Sequence, residues 1–240
     1  MIRIGNTRRR TAPFALLALV VAACGGADAD GAAVEAEGAA ARAALGSVAP
    51  PPLPQDHGLG LDLGGVGYDR GDPDATVQIV EFSDFGCPYC GVFARETYPE
   101  LHERYVETGK VAWKYVPYVL GIFPNGAQAA RAGECAGEQG ESEFWAMHDR
   151  LYERQREWKS TGEPRELFLG YATELGLDAE RFASCYDEDR RARRIRLGGI
   201  AGRQLGVRAT PSFFVNGMRV QGAIPAEQFK MLLDMLLDEE

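Results

Sequence analysis

Two cysteines separated by two residues carry the clearest chemistry in this chain. They lie in the segment Cys87-Pro88-Tyr89-Cys90, after an apolar run over residues 77–82 and at the start of an expected helix. Two thiols at this spacing can form a disulfide with each other and exchange it with another protein. The same spacing also serves zinc and iron–sulfur sites, so the four residues leave redox chemistry, metal binding and an inert pair open.

The position of each thiol predicts its role. At a helix N-terminus, unpaired backbone N–H groups and the positive end of the helix dipole favour a thiolate over a thiol. Pro88 suits the first helical position, because it has no N–H to lose and its φ is already helical. We therefore expect Cys87 to be the nucleophile and Cys90, one turn further on and more covered, to be the resolving thiol.

The other potential metal ligands are dispersed. A structural zinc site needs a second close pair of Cys or His residues. The remaining cysteines and the histidines are single and far apart: Cys24, Cys135, Cys185, His57, His102 and His148. We therefore expect redox chemistry at Cys87 and Cys90, with no metal and no organic cofactor.

The pattern around the two cysteines predicts an α/β fold. Residues 77–82 form a continuous apolar run typical of a buried strand, residues 88–107 carry an apolar helical stripe, and residues 110–116 alternate like a second strand. Strand, helix and strand in this order predict a βαβ unit with a parallel strand pair.

The rest of the chain completes this fold. Residues from Asn125 read as helical for about eighty positions, which predicts an inserted helical subdomain at about 124–205. Sheet resumes at residues 212–215, Asn216-Gly217 is a strong hairpin signal, and Pro225 begins a last amphipathic helix. This order predicts the thioredoxin fold with helices inserted in its middle.

The N-terminus reads as an export signal followed by a tether. Residues 1–23 combine a basic start with a short apolar stretch, and the sequence ending at Cys24 resembles the lipobox of bacterial lipoproteins, whose cysteine is acylated. An ordinary signal peptide with an incidental cysteine is the alternative. Residues 24–57 are rich in Ala, Gly and Pro and predict a disordered tether, which leaves 58–240 as the folded domain.

Composition agrees with a folded domain. The chain has 240 residues, of which 45% are hydrophobic, and its net charge is −9. Loss of residues 1–23 would remove four arginines and no acid, which makes the net charge −13. Such an acidic balance gives no support to nucleic acid as a partner.

Three ordered motifs resemble the DsbA family of thiol:disulfide oxidoreductases, especially its BdbD-like branch. They are residues 71–85 followed by Cys87–Cys90, residues 134–140 with Phe144-Trp145 and His148-Asp149, and residues 206–217. The resemblance covers about residues 68–240. It implies that Pro211 is a cis-proline facing the two cysteines, and that the backbone of Thr210 pairs with a substrate polypeptide. A turn proline before a strand is the alternative from sequence.

The resemblance also gives a role to Glu81, six positions before Cys87. In DsbA an acidic residue at this position lies beneath the active site and moves protons to and from the buried thiol. A carboxylate in an apolar strand is costly unless it is paired or protonated, which agrees with such a role. The alternative is a carboxylate facing solvent at a strand edge.

Two further cysteines are left once Cys24 is set aside as the lipidated residue. A second bridge in some relatives implies a structural disulfide between Cys135 and Cys185, and two buried free thiols are the alternative.

Tyr89 departs from DsbA, which has His at this position. Because an inter-cysteine His stabilises the thiolate, this departure leaves the direction of electron flow open.

We expect a lipid-anchored, extracytoplasmic dithiol oxidase that acts as a monomer. The family implies exported cysteine-containing proteins as substrates and a membrane protein that reoxidises the pair. A reductase or isomerase of the same fold is one alternative, and a lipoprotein binding module with unused thiols is the other.

Overall fold

The computed structural model of the chain describes His57 and residues 59–238. The expected signal peptide, Cys24 and all of the expected tether except His57 lie outside the described residues. Within the described part, no helix is long and apolar enough to cross a membrane.

A mixed sheet of five strands forms the centre of the folded part. Its spatial order is β1-β3-β2-β4-β5, where β2 and β3 are parallel and the other neighbours are antiparallel. The strands are β1 (Tyr68–Arg70), β2 (Val77–Ser83), β3 (Val111–Pro117), β4 (Ser212–Val215) and β5 (Met218–Gln221). This sheet, with helices packed against it, confirms the expected thioredoxin fold. The short edge strand β1 was not predicted.

The segment after β2 is helical, but it is not the single regular helix expected over 88–107. It consists of α1 (Pro88–Val92), a π-helical turn (Phe93–Thr97), α2 (Tyr98–Leu101) and a second π-helical turn (His102–Val106). Pro99 has no amide hydrogen for an ordinary α-helical bond, and the Tyr98 amide bonds to the carbonyl of Phe93, five residues back. The proline therefore coincides with a local widening of the helix.

Six helices separate β3 from β4, as expected for the insertion. They are α3 (Gly126–Gly137), α4 (Glu141–Glu153), α5 (Gln155–Lys159), α6 (Arg165–Glu174), α7 (Ala179–Asp187) and α8 (Ala192–Gln204). A disulfide between Cys135 and Cys185 joins α3 to α7. The insertion therefore has its own covalent link in addition to its apolar packing.

A hairpin and a final helix end the described part. Asn216 and Gly217, between β4 and β5, both have positive φ, which suits the turn expected from this dipeptide. The last helix, α9 (Ala226–Asp238), buries Phe229 and Leu233.

The two faces of β2 enter different parts of the core. Side chains alternate along a strand, so residues 79, 81 and 83 share one face. Ile79 belongs to the same buried cluster as Cys87 and Cys90, whereas Phe82 belongs to a second cluster on the other face. This alternation places Glu81 and Ser83 on the side of the sheet that holds the two cysteines.

Candidate active site

The two cysteines lie where β2 passes into α1. Cys87 is the N-cap of α1 with extended backbone angles, and Pro88 occupies the first turn. Both cysteines are free thiols, and their exposed fractions are 1% for Cys87 and 0% for Cys90. Cys90 is thus more covered than Cys87, but only by a small margin. Tyr89, between them, is 67% exposed and marks the accessible side of the motif.

The loop before β4 lies directly beside Cys87. The peptide bond between Thr210 and Pro211 is cis. The Cys87 sulfur lies 3.4 Å from the Thr210 carbonyl oxygen, to which Cys87 donates a hydrogen bond when it is protonated. The Thr210 hydroxyl is buried, has no ordinary hydrogen-bond partner among the described residues, and lies close enough to both sulfurs to lower their pKa values. Residues 123 positions apart in sequence therefore meet at the nucleophile.

The pKa values of the two thiols move in opposite directions. A hydrogen bond from Cys90 lowers the pKa of Cys87 from 9.0 to about 6, with help from the Thr210 hydroxyl and two backbone N–H groups and against the effect of burial. Burial raises the pKa of Cys90 well above its usual range, and its hydrogen bond to Cys87 adds to the rise. At neutral pH the site therefore combines a thiolate at Cys87 with a protonated Cys90.

Glu81 is buried on the face of β2 that points toward the cysteines, with an exposed fraction of 4%. Its two carboxyl oxygens accept hydrogen bonds from the Ser83 hydroxyl and, at 3.1 Å, from the Trp113 indole N–H. Burial raises the pKa of Glu81 from 4.5 to about 7, while both hydrogen bonds oppose the rise. This carboxyl group can therefore accept or release a proton near neutral pH. A carboxylate that faces solvent at a strand edge, which is the alternative left open by the sequence, would do so less readily.

The helical insertion holds the turn that carries Cys87. The side-chain amide of Gln155 donates hydrogen bonds to the carbonyls of Phe85 (2.6 Å) and Cys87 (2.8 Å). The Lys159 ammonium group donates to the carbonyl of Gly86. Sequence reasoning missed both residues, since nothing at positions 155 and 159 marks them as neighbours of residues 85–87.

Sequence reasoning also missed Ser83 and Trp113 as partners of Glu81. A signal existed for Ser83, because it lies two residues after Glu81 in a strand and therefore on the same face. Trp113 lies on β3, whose residue Tyr115 is in register with Glu81. That register depends on the pairing of two separate strands, so no local pattern points to the tryptophan.

The described residues contain no group of three or more His, Cys, Asp or Glu side chains placed to hold a metal ion. The Cys135–Cys185 disulfide is fully buried in the helical insertion. The arrangement at Cys87 and Cys90 contains what thiol–disulfide exchange requires, which is a thiol of low pKa with a second thiol hydrogen-bonded to it. The buried Glu81 carboxyl group, which titrates near neutral pH, is an additional feature.

Comparison with known proteins agrees with this chemistry. The thioredoxin family model matches residues 66–235. The probable disulfide bond formation protein D of Bacillus anthracis is 30% identical over 149 residues, which are 61% of this chain and 68% of that protein. The crystal structure of oxidised BdbD from Bacillus subtilis shares the fold, with a TM-score of 0.67 and 23% identity over 73% of this chain and 95% of that one.

A second group of relatives is longer. The sodium/proton antiporter NhaA 3 of Salinispora tropica is 39% identical over 155 residues, which are 64% of this chain but only 22% of the antiporter. The chain thus spans less than a quarter of the length of this relative. Its name describes the whole of that longer protein, and the similarity concerns one part of it.

Proposed function

The chain belongs to the thioredoxin family, within the group that contains disulfide bond formation protein D, and on this basis we propose that it is an extracytoplasmic thiol:disulfide oxidoreductase that introduces disulfides into exported proteins. The observation that carries the proposal is the Cys87 thiol, which has a lowered pKa and lies 3.4 Å from the carbonyl of Thr210 in the cis-proline loop. The same loop offers backbone groups to an extended substrate.

In the proposed reaction the oxidised enzyme holds a disulfide between Cys87 and Cys90. A substrate thiolate attacks the Cys87 sulfur, the enzyme disulfide breaks, and its electron pair passes to Cys90. A second substrate thiolate then attacks the substrate sulfur of the mixed disulfide and releases Cys87 as a thiolate. Two electrons move from substrate to enzyme, and we assign the return of the pair to the disulfide state to a membrane redox partner.

The pKa of Cys87 supports the oxidising direction. Stabilisation of the Cys87 thiolate lowers the free energy of the reduced enzyme relative to its disulfide form. The disulfide is therefore a stronger oxidant. With the pKa lowered from 9.0 to about 6, this stabilisation is about 1.4 kcal/mol at pH 7, or about 30 mV for two electrons. Tyr89 has no imidazole group, so the lowered pKa of Cys87 comes from Cys90, Thr210 and the helix start.

The direction of the reaction can be measured as a reduction potential. With Cys135 and Cys185 intact, the Cys87/Cys90 pair should have a potential above the value of about −270 mV typical of thioredoxin. A potential at or below that value would favour the reductase or isomerase. The protein should oxidise a reduced, unfolded test protein, and Cys87→Ser should abolish this activity. Unchanged activity in that variant would favour the binding module.

We propose a lipid anchor at Cys24 as the means by which the enzyme stays at the cell envelope, with residues 24–57 as its tether and the protein acting as a monomer. The support is the lipobox-like sequence that ends at Cys24. Mass spectrometry of the membrane fraction should detect an acylated Cys24 as the first residue, and Cys24→Ala should prevent this acylation. A mature chain that starts elsewhere and carries no acyl group would contradict the anchor.

A further inference from the structure

Opening and closing of the Cys87–Cys90 disulfide requires a proton at Cys90. When the disulfide opens, Cys90 leaves as a thiolate, and its pKa, raised by burial, favours rapid protonation. When the disulfide closes, the Cys90 thiol must lose that proton before it attacks. Cys90 has an exposed fraction of 0%, so bulk water does not reach its sulfur directly. A protein group must therefore carry the proton to or from it.

Ser83 is the group that contacts both the thiol and a suitable acid. Its hydroxyl donates a hydrogen bond to Glu81 Oε1 and lies close enough to the Cys90 sulfur to lower the pKa of that thiol. Ser83 is itself fully buried at the end of β2, on the face it shares with Glu81. A hydroxyl group donates one hydrogen bond, accepts two, and rotates to suit its partners. It can therefore receive a proton on one side and release another on the opposite side.

The other titratable side chains near this route are poorly suited to take the proton. Burial raises the pKa of Tyr98 and lifts those of Tyr115 and Tyr152 well above their usual range, so these phenols stay neutral. Burial also raises the pKa of Asp84, but among the described residues its carboxyl oxygens accept hydrogen bonds from the amides of Gly86 and Leu120 and not from Ser83 or Cys90. Glu81 is left as the acid that contacts Ser83 directly.

We propose that the Ser83 hydroxyl carries the proton between the Cys90 sulfur and the Glu81 carboxyl group, a role that rests on the oxidoreductase function proposed above. As the disulfide opens, Ser83 gives its hydrogen to the Cys90 thiolate and takes the hydrogen of the Glu81 carboxylic acid. The result is a Cys90 thiol and a Glu81 carboxylate. As the disulfide closes, the same two transfers run in reverse and the Cys90 thiolate attacks Cys87.

The closing step can be isolated with a small disulfide. In single-turnover experiments, the reduced protein reacts with glutathione disulfide to give a mixed disulfide at Cys87 and one glutathione thiolate. Cys90 then attacks the Cys87 sulfur and releases the second glutathione thiolate. In the wild-type protein the rate of this second step should rise with pH around the pKa of Glu81, about 7. Failure of the wild-type protein to close its disulfide would contradict the proposed function rather than the relay.

Removal of the hydroxyl group tests the relay itself. Ser83→Ala should slow the closing step by about 100-fold, at the lower end of what general acid–base catalysis contributes. Its rate should no longer follow the titration of Glu81. Ser83→Thr keeps a hydroxyl group and should restore most of the rate. A wild-type rate and pH profile in Ser83→Ala would overturn the proposal.

Non-additivity separates a relay from a structural effect. If both residues act on one proton route, the double variant Glu81→Gln/Ser83→Ala should close its disulfide no more slowly than the slower single variant. Losses that multiply would show that Ser83 acts independently of Glu81.

A measurement on the wild-type protein covers the case in which Ser83→Ala does not fold. The closing rate is followed against the fraction of deuterium in the solvent. If two protons move in one step, the plot of the closing rate against the deuterium fraction should be curved. A linear plot would overturn the two-proton relay.

Discussion

The side-chain amide of Gln155 donates a hydrogen bond of 2.8 Å to the backbone carbonyl of Cys87, across 68 positions of sequence. Through this bond the helical insertion holds the residue whose sulfur carries the chemistry. A second bond from the same amide, 2.6 Å to the carbonyl of Phe85, fixes the turn on its other side. The insertion therefore supports the geometry of the nucleophile as well as adding to the core.

Loss of this contact should destabilise the protein. Gln155→Ala removes the donor to the buried Phe85 carbonyl, whereas the Cys87 carbonyl keeps its hydrogen bond from the Gly91 amide, and a buried group left unsatisfied costs about 1–3 kcal/mol. Urea unfolding of the reduced protein should show this decrease. Gln204→Ala, at an exposed position of α8, is the matched control and should change stability by less than about 0.5 kcal/mol. Equal effects of the two substitutions would argue against a special role for Gln155.

The ionisation of Cys87 should depend on Cys90. The rate of alkylation of Cys87 by iodoacetamide should rise with pH around a midpoint of about 6. Cys90→Ala removes the S–H group that contributes most to the lowered pKa, so the midpoint should move to higher pH. Cys90→Ser keeps a hydrogen-bond donor and should move it less. A midpoint that stays at 6 in Cys90→Ala would show that Thr210 and the helix start stabilise the thiolate without Cys90.

The hydroxyl of Thr210 should stabilise the same thiolate. Thr210→Val replaces the hydroxyl with a methyl group of similar size, so packing is kept while one donor near the two sulfurs is lost. The pKa of Cys87 should rise and the reduction potential of the pair should fall. Thr210→Ser keeps the hydroxyl and should retain the wild-type pKa more closely. The pKa of Cys87 in all three proteins can be measured from the ultraviolet absorbance of the thiolate as a function of pH.

Ionisation of Glu81 should cost stability as pH rises. Burial raises its pKa from 4.5 to about 7, so between these values the folded chain keeps a proton that the unfolded chain has released. The free energy of unfolding should therefore fall over this interval, by about 3 kcal/mol in total. Glu81→Gln removes the titration and should be the more stable protein above pH 7, with little difference below pH 4.5.

Chemical denaturation at a series of pH values tests this expectation. Glu96→Gln changes an exposed carboxylate on the neighbouring helical segment and serves as the control. It should show no comparable gain at high pH. A Glu81→Gln variant whose advantage does not depend on pH would contradict a raised pKa at Glu81.

The disulfide between Cys135 and Cys185 should stabilise the fold without tuning the active site. It closes a loop with a sequence separation of 50 residues, for which the chain-entropy model gives about 4 kcal/mol. The double variant Cys135→Ala/Cys185→Ala should therefore unfold at a lower urea concentration. Its Cys87 alkylation midpoint should remain near 6. A shifted midpoint would reveal coupling between the insertion disulfide and the nucleophile.

Much of the fold was predictable because its signals are local. The apolar run before Cys87, the proline after it and the dipeptide Asn216-Gly217 each act through neighbouring residues, and they predicted β2, the start of α1 and the hairpin. The strand β1 was missed because it has three residues and forms only by pairing with β3. The π-helical turns were missed because an apolar stripe does not distinguish them from a regular helix.

The amino-acid sequence alone determined which reactive groups exist and how the nearest of them are spaced. It placed Cys87 at a helix start with Cys90 one turn away, since backbone geometry over four residues follows from local chemistry. The tertiary structure decided the pKa of Cys87, the burial of Glu81 and the contacts made by Gln155. These properties depend on solvent exclusion and on distances of about 3 Å between atoms from distant segments. Such distances exist only once the sheet and the helical insertion have packed together.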